Sequence, residues 1–278
     1  MLVHMAIGDA YGAGFEFSSY NIIKKYNTGK TYTNHSKSRI PLGHYTDDTQ
    51  MALALCELML SYQDWTRENI AKAFLGAFHR DKRKGYAQGF YTFLEQTTTP
   101  QDFLKNIKPW SDKSGAAMRS APLGYFSSIP EVIGKTYLQA SLTHNTYTGI
   151  NSALAVALSS HYFIYELGTK KDLIPFLSAH IPGYWSKQWS GPVSVLGMDC
   201  AKAAISAIQS SNSLTELLVK CVNFTGDTDT VACIAFGIAS NCKEIKNDLS
   251  DSLYTDLEND LYGKDYLERM GERLKIMS

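Results

Sequence analysis

Two short acidic segments hold the residues of this chain with the clearest chemical potential: Y-T-D-D-T at 45–49 and G-D-T-D-T at 226–230. Each segment combines two aspartates with threonines, and each directly precedes an apolar run with helical spacing. Carboxylate and hydroxyl oxygens are the ligands that hard cations such as Mg²⁺ and Mn²⁺ prefer, whereas Zn²⁺ favours histidine and cysteine, which both segments lack. The two segments are therefore candidate ligand sets for divalent cations.

The first acidic pair also has a purely structural interpretation. Aspartate is a favoured residue at the N-terminus of a helix, where unpaired N–H groups stabilise a carboxylate. Asp47, followed three residues later by Gln50, matches a capping box. Taken alone, this segment is compatible with an ordinary helix cap as well as with a metal site.

The second acidic pair is constrained by its spacing. Residues two apart point to nearly opposite faces of a helix, so Asp227 and Asp229 converge only in a turn or at a helix mouth, and Gly226 favours such a turn. The pattern D-x-D-x-V also resembles the nucleophile motif of haloacid-dehalogenase-like phosphatases, but that motif normally precedes a long α/β domain and only about 50 residues follow here. An EF-hand fits poorly, because Val231 occupies the position of the third ligand.

Bringing the two pairs together would carry an electrostatic cost. Four carboxylates in one small volume repel one another, which raises their pKa values and destabilises the fold unless cations neutralise them. Two divalent cations balance four negative charges. The two acidic segments together therefore predict a two-metal site where two helix mouths meet.

Three further segments carry single candidates, and each has an ordinary structural alternative. Glu16 lies with Asp9 in the small-residue segment G-D-A-Y-G-A-G-F-E-F, where a lone glutamate is usually a cap or a solvated residue. Ser114 and Gly115 stand at a predicted helix start, where free N–H groups can receive a phosphate or simply be capped. An isolated His144, in L-T-H-N-T-Y-T-G, is more often a structural histidine than a catalytic one.

Composition and charge argue against several classes of partner. Lys plus Arg and Asp plus Glu both total 27, so the formal net charge is zero and nothing favours nucleic acid or an anionic membrane. The five cysteines are odd in number and show no C-x-x-C spacing, which indicates reduced core residues in a cytoplasm-like compartment. The N-terminus lacks signal-peptide features, and the longest nearly apolar run, 152–165, is too short to cross a bilayer. We expect a soluble, cytoplasmic monomer.

Helical periodicity recurs along the chain, whereas strand alternation is scarce. Apolar residues follow three-and-four spacing at 70–78 and again at 267–277. Two segments, 152–160 and 230–240, are apolar nearly all round, which is typical of central helices covered by other helices. The polar segment 18–46 is expected to be a long surface connection or lid. With no evident interdomain linker, these patterns predict an all-α fold.

Together and in this order, the five segments resemble the ADP-ribosylglycohydrolase family, whose members include enzymes that remove ADP-ribose from arginine. The resemblance runs from Gly8 to about Ser240, and its most specific parts are Y-T-D-D-T and D-T-D-T in combination. It implies one compact all-α domain over residues 1–278, an orthogonal helical bundle with two Mg²⁺ or Mn²⁺ ions at the helix mouths. The metal ligands that it implies are Thr46, Asp47, Asp48, Asp227, Asp229 and Thr230.

The resemblance also implies roles for the other candidates. Glu16 matches the family's acidic residue beside the metals, and together with Asp48 it forms the implied catalytic pair. The loop at 113–115 matches the one expected to cradle the phosphates of ADP-ribose, and His144 matches a residue near the ribose. The substrate-binding residues that the resemblance implies are Asp47, Lys113, Ser114, Gly115 and His144.

Two positions depart from the family pattern. Ser114 stands where asparagine is usual before the glycine, and Thr225 replaces the first glycine of the common G-G-D-T-D-T. Both lie near the expected substrate. We therefore expect the affinity or the preferred acceptor to differ from that of other members.

The activity implied by the resemblance is metal-dependent hydrolysis of the glycosidic bond between ADP-ribose and a modified protein side chain, with arginine as the first choice. Such a bond breaks through an oxocarbenium-like transition state, so the site must stabilise charge, supply water and manage a proton. The expected partner is an ADP-ribosylated protein. Two alternatives stay open: hydrolysis of a small-molecule ADP-ribose conjugate, and binding of ADP-ribose without reaction.

Overall fold

The regular structure of the chain is helical. In the computed structural model, which describes residues 1–61 and 63–277, the described residues form fifteen α-helices and two short 3₁₀ helices, with isolated β-bridges but no sheet. The predicted all-α fold is therefore confirmed. The α-helices are α1 Leu2–Ala13, α2 Tyr20–Tyr26, α3 Asp47–Met59, α4 Arg67–Arg80, α5 Gln88–Gln96, α6 Pro100–Asn106, α7 Gly115–Met118, α8 Ile129–Ser141, α9 Tyr147–Ile164, α10 Leu173–His180, α11 Gly197–Gln209, α12 Leu214–Asn223, α13 Thr228–Ala239, α14 Asp251–Thr255 and α15 Lys264–Lys275; the 3₁₀ helices are η1 Ala121–Tyr125 and η2 Lys170–Asp172.

The centre of the fold is formed by helices that are buried on every side. All twelve residues of α13 are buried, and α9 is buried from Asn151 to Phe163. The other helices cover them, because α9 packs against α7, α8, α11 and η1, while α13 packs against α1, α11 and α12. The prediction that the two all-round apolar segments are central helices is confirmed.

Helices α1 and α13 pack with their backbones in contact, and glycines on α1 make this possible. A Cβ at Gly8 would lie 2.6 Å from the carbonyl oxygen of Ala232, and a Cβ at Gly12 would lie 2.5 Å from Cα of Asp229. No side chain fits in either place without moving the α13 backbone. The close approach sets the end of α1 directly against the acidic start of α13.

The segment 18–46 is mostly exposed or half-buried, as predicted for a surface connection, but it is anchored to the rest of the protein. It contains helix α2, and it buries Ile23, Tyr32 and Ile40 against the rest of the protein. The Tyr32 hydroxyl also donates a hydrogen bond to the carbonyl oxygen of Leu253, at 2.7 Å. These aromatic and aliphatic side chains, spaced among polar ones, hold the segment against the rest of the protein, and its role as a lid stays a prediction.

The buried cysteines match a further expectation. All five cysteines are free and buried, as expected of reduced core residues. Among the described residues, no helix is both long and apolar enough to span a membrane. The main hydrophobic cluster extends from Leu2 in α1 to Leu274 in α15, so both ends of the described chain contribute to it.

Candidate active site

Asp9 of α1 organises the start of α3. Its carboxylate is fully buried and accepts hydrogen bonds from two backbone amides, those of Thr46 at 2.9 Å and Thr49 at 3.1 Å. It also accepts from the hydroxyls of the same two threonines, at 2.9 and 2.7 Å. Backbone N–H groups in the first turn of α3 are therefore satisfied by an acid from another helix.

The predicted capping box at Asp47 and Gln50 is wrong. The N-cap is Thr46, whose hydroxyl accepts from the Asp48 amide at 3.3 Å, and Asp47 is the first helical residue. The Gln50 side chain instead donates to the carbonyl oxygens of Ala77 and Asp81 and accepts from the Tyr86 hydroxyl. Because Thr46 and Asp9 do the capping, the Asp47 and Asp48 carboxylates are not needed for it.

The Asp48 carboxylate is incompletely satisfied. Its Oδ2 lies 3.0 Å from the Thr46 hydroxyl, while its buried Oδ1 has no hydrogen-bond partner. The Thr46 hydroxyl is also 2.9 Å from Asp9, yet it has only one proton to donate. A buried, unpaired carboxylate oxygen is costly and rare in proteins, so Asp48 is available to a cation or a ligand.

Asp47 lies against Gly85, and any other residue at position 85 would displace the Asp47 side chain. A Cβ at Gly85 would lie 2.0 Å from Asp47 Oδ1, and the φ of Gly85 is +105°, a conformation that L-residues rarely adopt. The backbone here also holds the start of α3, because the Asp47 amide donates to the carbonyl oxygen of Lys84 at 3.2 Å. The 84–85 backbone thus shapes the space around Asp47.

The start of α13 is the turn that its sequence predicted. Gly226 has a φ of +81°, and Asp227 is the N-cap residue of α13. The Asp227 amide donates to the carbonyl oxygen of Val193 at 3.1 Å, which holds the turn in place. Its Oδ2 lies 3.5 Å from Cys200 Sγ, and Asp229 Oδ1 accepts from the Thr230 amide at 3.0 Å.

The two acidic helix mouths meet at one cavity of about 590 Å³. Thr46 lies buried behind them and contacts Asp48. Glu16 joins them from the end of α1, where the Phe17 amide donates to the carbonyl oxygen of Gly226 at 2.9 Å. The acidic wall of the cavity, as we call it below, consists of Glu16, Asp47, Asp48, Asp227, Asp229 and Thr230.

Burial raises the pKa of every carboxyl group of the acidic wall, and repulsion by neighbouring carboxylates adds to it for all of them except Asp227. Burial is the main cause that raises the pKa values of Asp47, Asp48 and Asp229 well above the usual range, and neighbouring carboxylates raise them further. Burial, with Asp227 and Asp9 nearby, raises the pKa of Glu16 to about 7. Such shifts mark groups that favour proton exchange near neutral pH or binding of a cation.

The acidic wall has the donor atoms that a divalent cation prefers, but its side chains are not spaced to hold one. Within residues 1–61 and 63–277, no group of three or more His, Cys, Asp or Glu side chains is spaced to hold a metal ion. The donor set is nevertheless made only of carboxylate and hydroxyl oxygens, which hard cations prefer. The buried Oδ1 of Asp48 has no hydrogen-bond partner, and a bound cation would compensate its negative charge.

The opposite wall includes the loop at 113–115, and its backbone is less open than the sequence predicted. Helix α7 is a single turn that starts at Gly115, as expected. The Ser114 amide, however, donates to the carbonyl oxygen of Val195 at 3.0 Å, and the Lys113 amide contacts Ser111 Oγ at 3.2 Å. Of these three amides, only that of Gly115 has no acceptor among the described residues.

His144 lies next to this loop. Its Nδ1 is 2.7 Å from the Thr143 hydroxyl, and its Cε1–Nε2 edge lies so close to Gly115 that a Cβ there would be 2.9 Å from Cε1. Burial, and then the positive charge of Arg119, lower the His144 pKa to about 3. The imidazole is therefore neutral at physiological pH. The donor wall, as we call it below, consists of Lys113, Ser114, Gly115 and His144, and the buried Arg119 and Thr143 also line the cavity here.

An apolar side completes the cavity. Phe90 and Phe93, stacked with their ring centroids 6.1 Å apart, line it together with Ile107 and Met118. Apolar side chains beside a few polar groups are typical of a small-molecule site. Sequence patterns gave no signal for Phe90 and Phe93, because their spacing on α5 is the same as that of core residues.

Comparisons with known proteins agree with this architecture. The human ADP-ribosylhydrolase ARH3 is 26% identical in an alignment that is 253 positions long and covers 70% of each chain. ADP-ribosylarginine hydrolase Tri1 of Pseudomonas putida is 23% identical over 86% of this chain and 68% of its own. ADP-ribosyl-[dinitrogen reductase] glycohydrolase of Rhodospirillum rubrum is 25% identical over 83% of this chain and 80% of its own.

A solved structure and a family model cover the chain more fully. The structure, described as an ADP-ribosylglycohydrolase-related protein complex, matches the fold with a TM-score of 0.76 over 100% of this chain and 96% of its own, at 22% identity. The family model for ADP-ribosylglycohydrolase matches residues 1–277. With the fold and the whole sequence in agreement, the chain belongs to the ADP-ribosylglycohydrolase family.

Proposed function

We propose that this chain is a metal-dependent hydrolase that cleaves the glycosidic bond between ADP-ribose and a modified protein side chain, in the first place arginine. The observation that carries the proposal is the meeting of two acidic helix mouths, with Glu16, at one cavity whose other wall presents hydrogen-bond donors. A ligand with cis-hydroxyls at one end and phosphates at the other suits this division of charge. The cavity volume of about 590 Å³ is in the range of small-molecule sites.

The cofactor part of the proposal is a pair of divalent cations, Mg²⁺ or Mn²⁺. When bound, such a pair supplies positive charge that holds ribose hydroxyls and orients a water molecule. The unpaired Asp48 Oδ1 and the raised pKa values of the surrounding carboxyl groups support it, because each reflects negative charge without compensation. The residues that would hold the cations are Thr46, Asp47, Asp48, Asp227, Asp229 and Thr230.

Two acidic residues are proposed to carry the chemistry of bond cleavage. An oxocarbenium-like transition state develops positive charge at the anomeric carbon, which the surrounding carboxylates stabilise. Glu16, with a pKa of about 7, suits a group that takes or gives a proton at neutral pH. Asp48, at the start of α3, is proposed to fix the geometry of the substrate's reacting end. Asp47 is proposed to contact the substrate beside Asp48.

The donor wall and the apolar side are proposed to bind the rest of ADP-ribose. The Gly115 amide and the exposed Lys113 side chain are proposed as donors for phosphate oxygens, and His144, which lines the cavity, is proposed to contact the ribose. Phe90 and Phe93 offer ring faces on which the adenine can stack. Ser114, whose amide is already bonded to Val195, contributes through its position before Gly115.

The choice of acceptor follows from the relatives' names. One relative is named an ADP-ribosylarginine hydrolase, and another acts, by its name, on ADP-ribosyl-[dinitrogen reductase]. Arginine on a protein is therefore the acceptor we propose. We propose action as a monomer on ADP-ribosylated proteins in the cytoplasm; the buried free cysteines support that compartment, and the zero net charge supports partners other than nucleic acid or an anionic membrane.

Binding without reaction fits the acidic wall less well. Several mutually repelling, buried carboxylates destabilise the fold, and a protein that only binds ADP-ribose gains nothing from that cost. A small-molecule ADP-ribose conjugate as substrate makes the same demands on the cavity as a protein side chain does. Activity measurements separate these alternatives.

The test compares acceptors in one assay. The purified protein is incubated with Mg²⁺ and with ADP-ribosyl-arginine peptide, ADP-ribosyl-serine peptide or a small-molecule ADP-ribose conjugate, and released ADP-ribose is quantified by chromatography. We expect fastest release from the arginine peptide and at least a hundredfold loss in Asp229→Asn. Glu268→Gln, at an exposed position on α15, is the control for neutralising a carboxylate. Fastest release from the small conjugate would contradict the protein substrate, and tight ADP-ribose binding with no release would contradict the hydrolase.

A further inference from the structure

Arg119 is a buried cation without an acidic partner. It follows α7 with 1% of its surface exposed, and none of the ion pairs among the described residues includes it. Its Nε donates to Gln139 Oε1 at 2.6 Å, and its Nη2 donates to the Gln139 carbonyl oxygen at 3.2 Å and to Thr143 Oγ1 at 2.8 Å. Its guanidinium also lies 4.4 Å from the ring centroid of Phe74. Burying an unpaired charge is costly, so these neutral contacts demand an explanation.

The bond from Arg119 fixes what the Thr143 hydroxyl can do. A guanidinium only donates hydrogen bonds, so Thr143 Oγ1 accepts from it. The second neighbour of that hydroxyl is His144 Nδ1, at 2.7 Å. The hydroxyl proton has no other acceptor among the described residues, and it therefore points at Nδ1. A bond in this direction requires that Nδ1 carry no proton.

The opposite direction leaves a group unsatisfied. If Nδ1–H donated to Thr143, the threonine proton would have no acceptor in a buried site, which costs about 1–3 kcal/mol. A doubly protonated imidazole would also place a second positive charge near the guanidinium, and burial with Arg119 lowers the His144 pKa to about 3. The neutral ring with its proton on Nε2 satisfies both the Thr143 hydroxyl and Nδ1.

The Nε2 edge of His144 is open to a ligand. No described residue forms a hydrogen bond with Nε2, and both His144 and the adjacent Gly115 line the cavity. A Cβ at position 115 would lie 3.2 Å from Nε2, so glycine keeps this edge clear. An N–H here lacks a protein acceptor and faces the space where a ligand binds.

We infer that Arg119, acting through Thr143, is a positioning residue that fixes His144 as a neutral Nε2–H donor aimed into the cavity. The group that this donor recognises is an oxygen acceptor, such as a hydroxyl or phosphate oxygen of ADP-ribose; this ligand assignment rests on the proposed function, whereas the assignment of the proton does not. The contribution of Arg119 and Thr143 to binding then passes through His144.

The proton assignment is tested by nitrogen NMR of the full chain labelled with ¹⁵N-histidine at neutral pH. The His144 ring is identified as the signal set that His144→Gln removes. We expect an unprotonated Nδ1 and a protonated Nε2. A protonated Nδ1, or a cationic ring, would overturn the inference whatever the protein's activity.

Matched substitutions at Thr143 test the route from Arg119. Thr143→Ser keeps the hydroxyl and should keep both the His144 signals and the affinity for ADP-ribose within about twofold. Thr143→Val removes the hydroxyl, so the Nδ1 signal should move to that of a nitrogen without a hydrogen bond, and ADP-ribose should bind about tenfold more weakly. Unchanged signals in Thr143→Val would overturn the role of Thr143, and an unchanged affinity would overturn the ligand assignment.

Arg119→Lys tests the contact between Arg119 and Thr143. It disturbs the fold less than a truncation of the side chain would. Lysine keeps the charge but lacks the planar fork that holds Gln139 and Thr143 together. We expect the same displacement of the Nδ1 signal as in Thr143→Val, and retention of the native signal would contradict a role for Arg119. Wild-type protein with the expected tautomer but no ADP-ribose binding would count against the proposed function and in favour of the tautomer assignment.

Discussion

At the scale of single residues, Asp9 has the most consequential contacts. It joins α1 to α3 by accepting from two amides and two hydroxyls, and so it removes the need for Asp47 or Asp48 to cap the helix. One acid is thus fully satisfied and structural, while its neighbours are poorly satisfied and open to the cavity. The acid that stabilises the fold and the acids that face the cavity are therefore different residues of the same site.

Asp9→Ala should be strongly destabilising, because it leaves two amides and two hydroxyls without their acceptor. We expect a loss of about 3 kcal/mol or more in the free energy of unfolding, measured by urea denaturation. Asp47→Ala is the matched control, since it removes a buried carboxylate that caps nothing and relieves repulsion. A smaller loss for Asp9→Ala than for Asp47→Ala would contradict the division of roles.

Gly85 sets the position of the Asp47 carboxylate. Gly85→Ala would place a methyl group on Asp47 Oδ1 and strain a φ of +105°, so we expect at least a tenfold fall in turnover together with a loss of stability. Gly134→Ala is the control, because nothing lies within 4 Å of a Cβ there and alanine suits the interior of α8. Normal turnover in Gly85→Ala, measured by ADP-ribose release, would refute the steric role.

At the scale of elements, the site depends on two helix starts that lie at one cavity. The sequence predicted both starts, the turn at Gly226 and the central position of α13, because turn residues and periodicity are local signals. It failed on the cap of α3, because Asp9 is 37 residues from Thr46 and no local pattern pairs them. The Arg119–Thr143 contact was missed for the same reason, since 24 residues separate the two.

The turn before α13 contains a strained residue. Thr225 has a φ of +66°, which is unfavourable for a β-branched side chain and favours glycine, the residue that the family resemblance led us to expect there. Thr225→Gly should raise the free energy of unfolding by about 1 kcal/mol. Thr225→Ala keeps a Cβ in the same conformation and should gain much less. Equal effects of both substitutions in a denaturant titration would show that backbone strain is not the cause.

At the scale of the whole molecule, the all-α fold and the central helices followed from periodicity, whereas the packing of the termini did not. His4 of α1 contacts the Tyr254 hydroxyl of α14 at 3.0 Å, which joins the first helix to the C-terminal part of the fold. Burial, and then the positive charges of the N-terminus and Lys275, lower the His4 pKa to about 3. Nothing in the spacing of the sequence brings these groups together.

This contact makes a prediction about pH. Below its unfolded pKa of 6.5, His4 binds a proton in the unfolded chain but not in the folded one, so stability falls as the pH drops from 6.5 towards 3. The contribution is at most about 1.4 kcal/mol per pH unit. His4→Gln should flatten the slope of the free energy of unfolding between pH 4 and 6, and His180→Gln, at an exposed position, is the control. Identical slopes in His4→Gln and wild type would contradict the prediction.

The acidic wall is proposed to hold divalent cations and to hydrolyse an ADP-ribosyl bond. The most direct test is the rate of ADP-ribose release from an ADP-ribosyl-arginine peptide as Mg²⁺ is titrated into metal-free wild-type protein and Asp48→Asn. We predict saturable activation of the wild type, loss of activity in excess EDTA, and at least a hundredfold lower maximum in Asp48→Asn. Release at the full rate in EDTA, or a normal metal response in Asp48→Asn, would contradict the account.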